Sequence, residues 1–260
     1  MTSTLGIKKI QYPNGTDILT LDSSGSLAIG SDLTVDTNTL HVDASNNRVG
    51  VGSTAPLKAL HVQGASEADI FLRREDLTNK SWMLNVQSST GDLNVKSRND
   101  DGSVIATSFI AHQSGYLTKP NLPSFLTVGT PSTTSVGSNH HYFHSFGNGG
   151  QSFNNGNHYA NGTGKFTAPV AGRYAFGFSV WRAQAYSGGD QLIYINKNSY
   201  SSGGAYVGSN ANGSQYDQLH VHLIYNMAVN DWVAPGLYYT GTFSIQASTP
   251  RNYFYGYLIG

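Results

Sequence analysis

The sequence predicts an all-β protein with an intertwined β shaft in its first half and a sandwich or jelly-roll head in its second. Three observations carry this. No segment of ordinary helix length shows a helical hydrophobic period. Glycine supplies 30 of 260 residues, alongside 16 Tyr and 11 Phe, a composition for short strands and tight turns. Finally, a loose repeat of strand, polar turn and strand occupies the first 64 residues.

The repeat is the first element. Leu19-Thr20-Leu21-Asp22-Ser23-Ser24-Gly25 leads into Leu27-Ala28-Ile29-Gly30. Leu40-His41-Val42-Asp43-Ala44-Ser45-Asn46-Asn47 leads in the same way into Val49-Gly50-Val51-Gly52, and Leu60-His61-Val62 starts a truncated third copy. Each copy alternates apolar and polar residues around an Asp/Ser/Asn/Gly turn, the pattern of a hairpin. A lone hairpin cannot bury its apolar stripe. Two and a half copies are too few for a solenoid, so several chains are expected to wrap together.

Further short alternating runs follow at Ile70–Leu72, Trp82–Val86, Leu93–Val95 and Val104–Ala106. The segment 115–123 contains Pro120 and Pro123, which deny a helix or central strand, and reads as an extended connector. The second half is expected to hold strands at Tyr142–Phe146, Gly164–Phe166, Gly172–Trp181, Gln191–Asn196, Gln218–Met227, Trp232–Tyr239 and Phe254–Ile259. Polar loops at Gly147–Gly156 and Ser199–Gly213 would lie between them. Many short strands spaced by turns suit a sandwich or jelly roll.

Composition narrows the function. Lys+Arg 15 balances Asp+Glu 15, so the basic excess of a nucleic-acid binder is absent. Cysteine is absent as well, which excludes a disulfide scaffold, a thiolate zinc site and a thiol nucleophile. Burial between subunits is expected to stabilise the chain instead. Met1–Ile10 lacks the apolar core of a secretory leader, and no run reaches about 18 apolar residues, so membrane insertion is not expected.

Two resemblances follow from particular residues. Gly164-Lys165-Phe166-Thr167-Ala168-Pro169-Val170-Ala171-Gly172-Arg173-Tyr174-Ala175-Phe176 resembles the signature Phe-x-Ala-Pro-x-x-Gly-x-Tyr-x-Phe of the complement C1q / tumour necrosis factor-like head. Ile193-Tyr194-Ile195-Asn196-Lys197 resembles that family's strand followed by an Asn turn. Met227–Val233 resembles its Leu-x-x-Gly-Asp-x-Val with Asn230 in place of Gly, and Phe254–Ile259 resembles its terminal Phe-Ser-Gly-Phe-Leu. The resemblance implies a jelly roll that forms a homotrimer about a threefold axis and binds partners on its outer surface. In the first half, Asn47–Pro56 followed by Leu60-His61-Val62 is similar to a segment of bacteriophage tail-fibre and adhesin shafts. Ile10–Thr16 and Gly115–Asn121 are similar to other parts of such fibres.

Together these imply a trimeric β shaft carrying a jelly-roll head, on the surface of a virion. The expected divisions are 1–30 for attachment to another virion protein, 31–128 for the repetitive shaft and connector, and 129–260 for the head. The expected function is a tail fibre binding a host-surface receptor, a glycan or a protein. The alternatives are a capsid or tail decoration fibre without receptor binding and a polysaccharide-degrading tailspike.

Candidate site residues follow from chemistry. Tyr186, Tyr200, Tyr206 and Tyr216 lie among Ser, Gly and Asn, the composition of binding loops in which rings give rigid contact area. They are the expected receptor contacts, against a plainer role as caps on the sandwich. His220 and His222 alternate with Val221 on one strand, so both imidazoles share one face. Three copies would gather six imidazoles, a set suited to an octahedral transition metal; the plainer role is an interface pair. His140, His141 and His144 have no acidic partner nearby in sequence and read as a surface loop. No catalytic residue is expected: Asp190 is the only carboxylate between Thr130 and Asp217, whereas glycoside cleavage uses two. The elbow and phosphate-loop motifs are absent too. No resident cofactor is expected beyond that metal.

Overall fold

The computed structural model describes residues 9–260 apart from 12, 14, 16, 22–26, 30–31, 37–38, 75–77, 79–80, 138, 184–189, 201–204, 209–216, 242 and 248–250. The described residues are all strand, turn and irregular chain, with no helix. The chain forms two compact units, Met1–Pro120 and Asn121–Gly260.

In the first unit, β1 (Lys9–Gln11), β2 (Asp17–Leu21) and β3 (Leu27–Ile29) form an antiparallel sheet. β4 (Leu33–Val35), β5 (Leu40–Asp43), β6 (Arg48–Val51) and β7 (Leu60–Val62) form a second sheet. Both full copies of the repeat are hairpins in matching register. Leu19 faces Ile29 and Leu21 faces Leu27; Leu40 faces Val51 and Val42 faces Val49. The third copy departs from this, because β7 runs parallel to β6. In the second copy's turn, the Asp43 carboxylate accepts from the backbone N–H of Asn46 at 3.0 Å and from its amide at 2.8 Å. These bonds hold the carboxyl below its ordinary pKa, and Asn47 takes φ 55°, which Asn tolerates better than most residues.

β8 (Ala68–Leu72), β9 (Ser81–Val86), β10 (Leu93–Arg98), β11 (Val104–Ala111) and β12 (Leu117–Thr118) form a third sheet in chain order. Its burial is inverted. On β9 the buried residues are Ser81, Met83 and Asn85, while Trp82, Leu84 and Val86 are exposed. Across the ladder, Leu72 faces Trp82 and Ile70 faces Leu84, and Leu93 faces Val86; all three are exposed as well. The opposite face carries a polar network centred on Asn85. The Asn85 amide donates to Glu67 at 3.1 Å and to Asp69 at 2.6 Å, and its oxygen accepts from Lys96 at 2.7 Å. Exposed and buried positions alternate as the period of two requires, but the apolar side faces outward.

In the second unit, ten strands make a two-layered sandwich. They are β13 (Ser124–Gly137), β14 (His140–Asn155), β15 (Tyr159–Ala160), β16 (Lys165–Thr167), β17 (Gly172–Trp181), β18 (Gln191–Lys197), β19 (Ala205–Gly208), β20 (Gln218–Met227), β21 (Trp232–Tyr239) and β22 (Tyr253–Leu258). One layer runs β13-β22-β17-β20; in the other β21 pairs with β16 and β18, β19 pairs with β18, and β14 pairs with both layers. Between them lies an aromatic core. Phe125, Phe143, Phe146, Phe166, Phe176, Phe178 and Phe254 are essentially fully buried. Phe125 stacks on Tyr159 at 4.5 Å and meets Phe254 edge-on at 4.9 Å. Gly256 is part of this packing, because a Cβ there would collide with the rings of Phe176 and Phe125.

Several expectations shift. The second unit starts at Asn121 and its first strand at Ser124, so a boundary at 129 would cut β13. The chain read as a loop over Gly147–Gly156 is mostly the second half of β14, paired with β13. The Ser199–Gly213 segment contains β19, paired with β18. Gly-, Ser- and Asn-rich composition signals turns on local grounds, and here long-range pairing overrides it. Asn196 does not turn the chain: it is fully buried within β18, and the left-handed residue is Asn198, at φ 55°. Asn230 has φ 69°, which explains why Asn can stand where the resembled motif has Gly.

Asp231, beside it, ties three elements together. It accepts from the Asn198 amide at 2.7 Å, the Ala228 backbone N–H at 2.9 Å and Lys197 at 3.3 Å. The Asn198 bond, the backbone bond and Lys197 all favour the charged carboxyl and hold its pKa below the ordinary value. Stability from this group is therefore present above the ordinary carboxylate pKa and is lost as pH falls through the lower folded value. The melting temperature of the parent is expected to fall through that acid range more steeply than that of Asp231→Asn; parallel curves would refute the linkage.

Candidate functional site

The outer face of β13-β22-β17-β20 collects imidazole, tyrosine and aliphatic side chains that are partly or fully exposed. On β20, Leu219, Val221 and Met227 point into the core, while His220, His222 and Ile224 point out. That is the division the alternation predicts. Ile224 is 63% exposed. The neighbouring strands extend the surface. His220 lies opposite Ser179, His222 opposite Gly177 and Ile224 opposite Ala175 on β17. These in turn lie opposite Tyr253, Tyr255 and Tyr257 on β22. The three tyrosines form a ladder with ring spacings of 6.1 and 6.3 Å. Leu126 and Val128 of β13 continue it. Burial, then the adjacent tyrosines, raises the Tyr255 phenol above its ordinary pKa.

Gly177 shapes the centre of this face. A Cβ at this position would strike both the Tyr255 ring and His222, so the missing side chain lets the two rings close over the strand. His222 Nδ1 then lies 3.2 Å from the Tyr255 hydroxyl. His220 Nδ1 lies 3.4 Å from Ser179 Oγ. A hollow of about 410 Å³ beside them is lined by Ala175, Phe176, His222, Leu223, Ile224 and Tyr255.

The expected receptor tyrosines fall differently. Tyr186 and Tyr216 lie outside the described residues, and Tyr206 sits on β19 with only its backbone described. Tyr200 is half-buried in a stack. Its ring centroid lies 4.1 Å from that of Tyr142 and 4.9 Å from that of Trp232. The Lys165 ammonium sits 3.9 Å from the Trp232 ring and 4.9 Å from the Tyr200 ring. The Tyr200 hydroxyl donates to the Thr163 carbonyl at 3.2 Å, and its own carbonyl accepts from the Tyr194 hydroxyl at 3.0 Å. Burial and the neighbouring Tyr142 raise its pKa. Tyr200 is thus engaged inside the domain, and replacing it would not leave the packing intact. Tyr200→Ala is expected to cost about 1–3 kcal/mol, read as a lower urea midpoint, whereas Tyr200→Phe should stay close to the parent. Equal midpoints for all three would overturn this role.

The histidines read as a surface loop are on β14 instead. His140 Nδ1 lies 3.2 Å from the Tyr194 hydroxyl, and the His141 ring stacks on Tyr239 at 4.9 Å. Burial lowers the His141 pKa, with His140 adding to the effect. Among the described residues, no three His, Cys, Asp or Glu side chains of one chain converge as a metal site.

The tyrosine ladder was missed from sequence, although its signal was present: Tyr253, Tyr255 and Tyr257 alternate with the buried Phe254 and Gly256. The Trp82-Leu84-Val86 face was missed because apolar residues on a strand are assigned inward by default.

The second unit is thus an aromatic-cored sandwich with one sheet face left exposed. Residues 131–259 match the family model described as the C1q domain. The chain is similar to murine APRIL, whose crystal structure at pH 8.0 aligns with 9% identity over 53% of this chain and 99% of that one, at a TM-score of 0.39. It is also similar to the globular domain of zebrafish complement 1qA, at 16% identity over 53% of this chain and 98% of that one, with a TM-score of 0.36. No sequence among the curated proteins matches the chain.

Proposed function

We propose that the protein is a homotrimeric virion fibre, a bacteriophage tail fibre, that binds a host-surface glycan through its C-terminal head. The observation that carries the assembly is the exposed apolar face on each unit: Trp82, Leu84 and Val86 in the first, Ile224 and Tyr257 in the second. Contiguous apolar surface of this kind marks an interaction site. The occupant is a further copy of the same chain. C1q/TNF-like domains form homotrimers, and segments of the first half resemble those of fibre shafts, for which intertwined chains are the expected arrangement. Segment 1–30 is proposed to attach to another virion protein.

Host binding then falls to the head segments in which Tyr186, Tyr206 and Tyr216 lie among Ser, Gly and Asn. Rings stack on sugar faces, and amides bond hydroxyls. The engagement of Tyr200 within the domain favours a second reading, a decoration fibre whose tyrosines stabilise its own head.

Binding of the purified protein to an array of bacterial surface polysaccharides separates the two. The parent is expected to bind at least one glycan without shortening it. The triple variant Tyr186→Ser, Tyr206→Ser, Tyr216→Ser is expected to lose tenfold or more in affinity, about 1.4 kcal/mol, with unchanged melting. Equal binding by the triple variant would refute these contacts, no binding by the parent would favour the decoration fibre, and shortened glycan would favour a tailspike.

A further inference from the structure

We infer that three copies of the chain hold one transition-metal ion through the Nε2 atoms of His220 and His222. The inference rests on the trimeric assembly proposed above and adds a site to it.

The first support is placement. Both imidazoles leave the same face of β20, which is the edge strand of its layer. Both share that face with Ile224, which is exposed and belongs to the surface proposed above to meet other copies. Only residues beside a threefold axis meet their own copies, and an edge strand can approach such an axis without the flat sheets colliding. Alternate residues of a strand stand about 6.6–6.8 Å apart along the chain. Rings from the two positions can therefore reach one ion from either side. Three copies then supply one layer of three nitrogens above the ion and one below, an octahedral set.

The second support is the state of the rings. Each Nδ1 is already engaged, His220 by Ser179 Oγ at 3.4 Å and His222 by the Tyr255 hydroxyl at 3.2 Å. Both hydroxyls can accept from an Nδ1–H, the tautomer that leaves the Nε2 lone pair available. Ligating histidines are held in this way through the ring nitrogen that faces away from the metal. Among the described residues neither Nε2 has a partner. Gly177 keeps the strand beneath His222 clear of a side chain. The immediate neighbours are Ser179, Gln218, Tyr253, Tyr255 and Ile224, with no carboxylate among them. An all-imidazole shell suits nickel, zinc, copper or iron in preference to calcium or magnesium.

The test uses the full chain without a polyhistidine tag, stripped with chelator, dialysed against nickel chloride and freed of unbound metal. Sedimentation and metal content are measured on the same fractions. The expected result is a trimer with one nickel per three chains. Nickel is expected to fall to background in the His220→Gln, His222→Gln double variant but to persist in His140→Gln, His141→Gln. Cobalt in place of nickel should give the weak visible absorption of six-coordinate Co(II). Chelator should lower the melting temperature of the parent and leave that of the double variant unmoved. A trimeric parent holding no more nickel than the double variant overturns the metal site alone. One nickel per chain overturns the shared axis. A monomeric parent overturns the trimer and the site together.

Discussion

Replacing Phe254 with alanine is expected to destabilise the second unit by about 3–5 kcal/mol, the usual cost of removing a fully buried ring. Phe254 is 0% exposed and sits at the crossing of the core's ring contacts. It meets Phe125 at 4.9 Å, Tyr159 at 5.9 Å, Phe178 at 6.2 Å and Phe176 at 6.4 Å. The cavity cannot close cheaply, because β22 is held between β13 and β17 by ladders on both sides. Urea unfolding at one fixed protein concentration checks this, since the apparent stability of an oligomer depends on concentration. A midpoint shift equivalent to less than about 1 kcal/mol, well under the range for buried phenylalanines, would mean that the ring contacts do not describe the core.

Ile224→Asp is expected to turn the trimer into monomers while leaving each head folded. Ile224 contributes little to its own domain at 63% exposure, so the substitution has a small cost within one chain. In the assembly it places a carboxylate from every copy in the contact surface. An unpaired buried charge costs several kcal/mol, and each 1.4 kcal/mol is tenfold in the dissociation constant. The trimer is therefore expected to weaken by several orders of magnitude. Sedimentation should show a trimer for the parent and a species near the 27.9 kDa chain mass for the variant, with unchanged circular dichroism. Leu84→Asp asks the same of the first unit. A variant that remains trimeric would show that copies do not meet on that face.

Tyr200 illustrates how a residue can be legible in type while its neighbours are not. Its Ser- and Gly-rich surroundings point to a loop contact, and the chain there is indeed irregular. What composition could not supply was the company of Tyr142, Lys165 and Trp232, brought from β14, β16 and β21. The opposite case is His220 and His222, whose common outward face followed from local alternation alone.

The sequence by itself determined the all-β class, the hairpin repeats and the limits of β17, β20 and β21. It also determined the inward and outward sides of β20. These rest on a period of two and on turn chemistry, both properties of neighbouring residues. Tertiary structure alone decided the early start of β13 and the full length of β14, whose pairings join distant segments. It also decided that Trp82, Leu84 and Val86 face outward while Asn85 is enclosed by Glu67, Asp69 and Lys96. Alternation says that a strand has two unlike faces but not which of them lies inside. That choice depends on what covers each face, and on β9 it is the side of Ser81, Met83 and Asn85 that is covered.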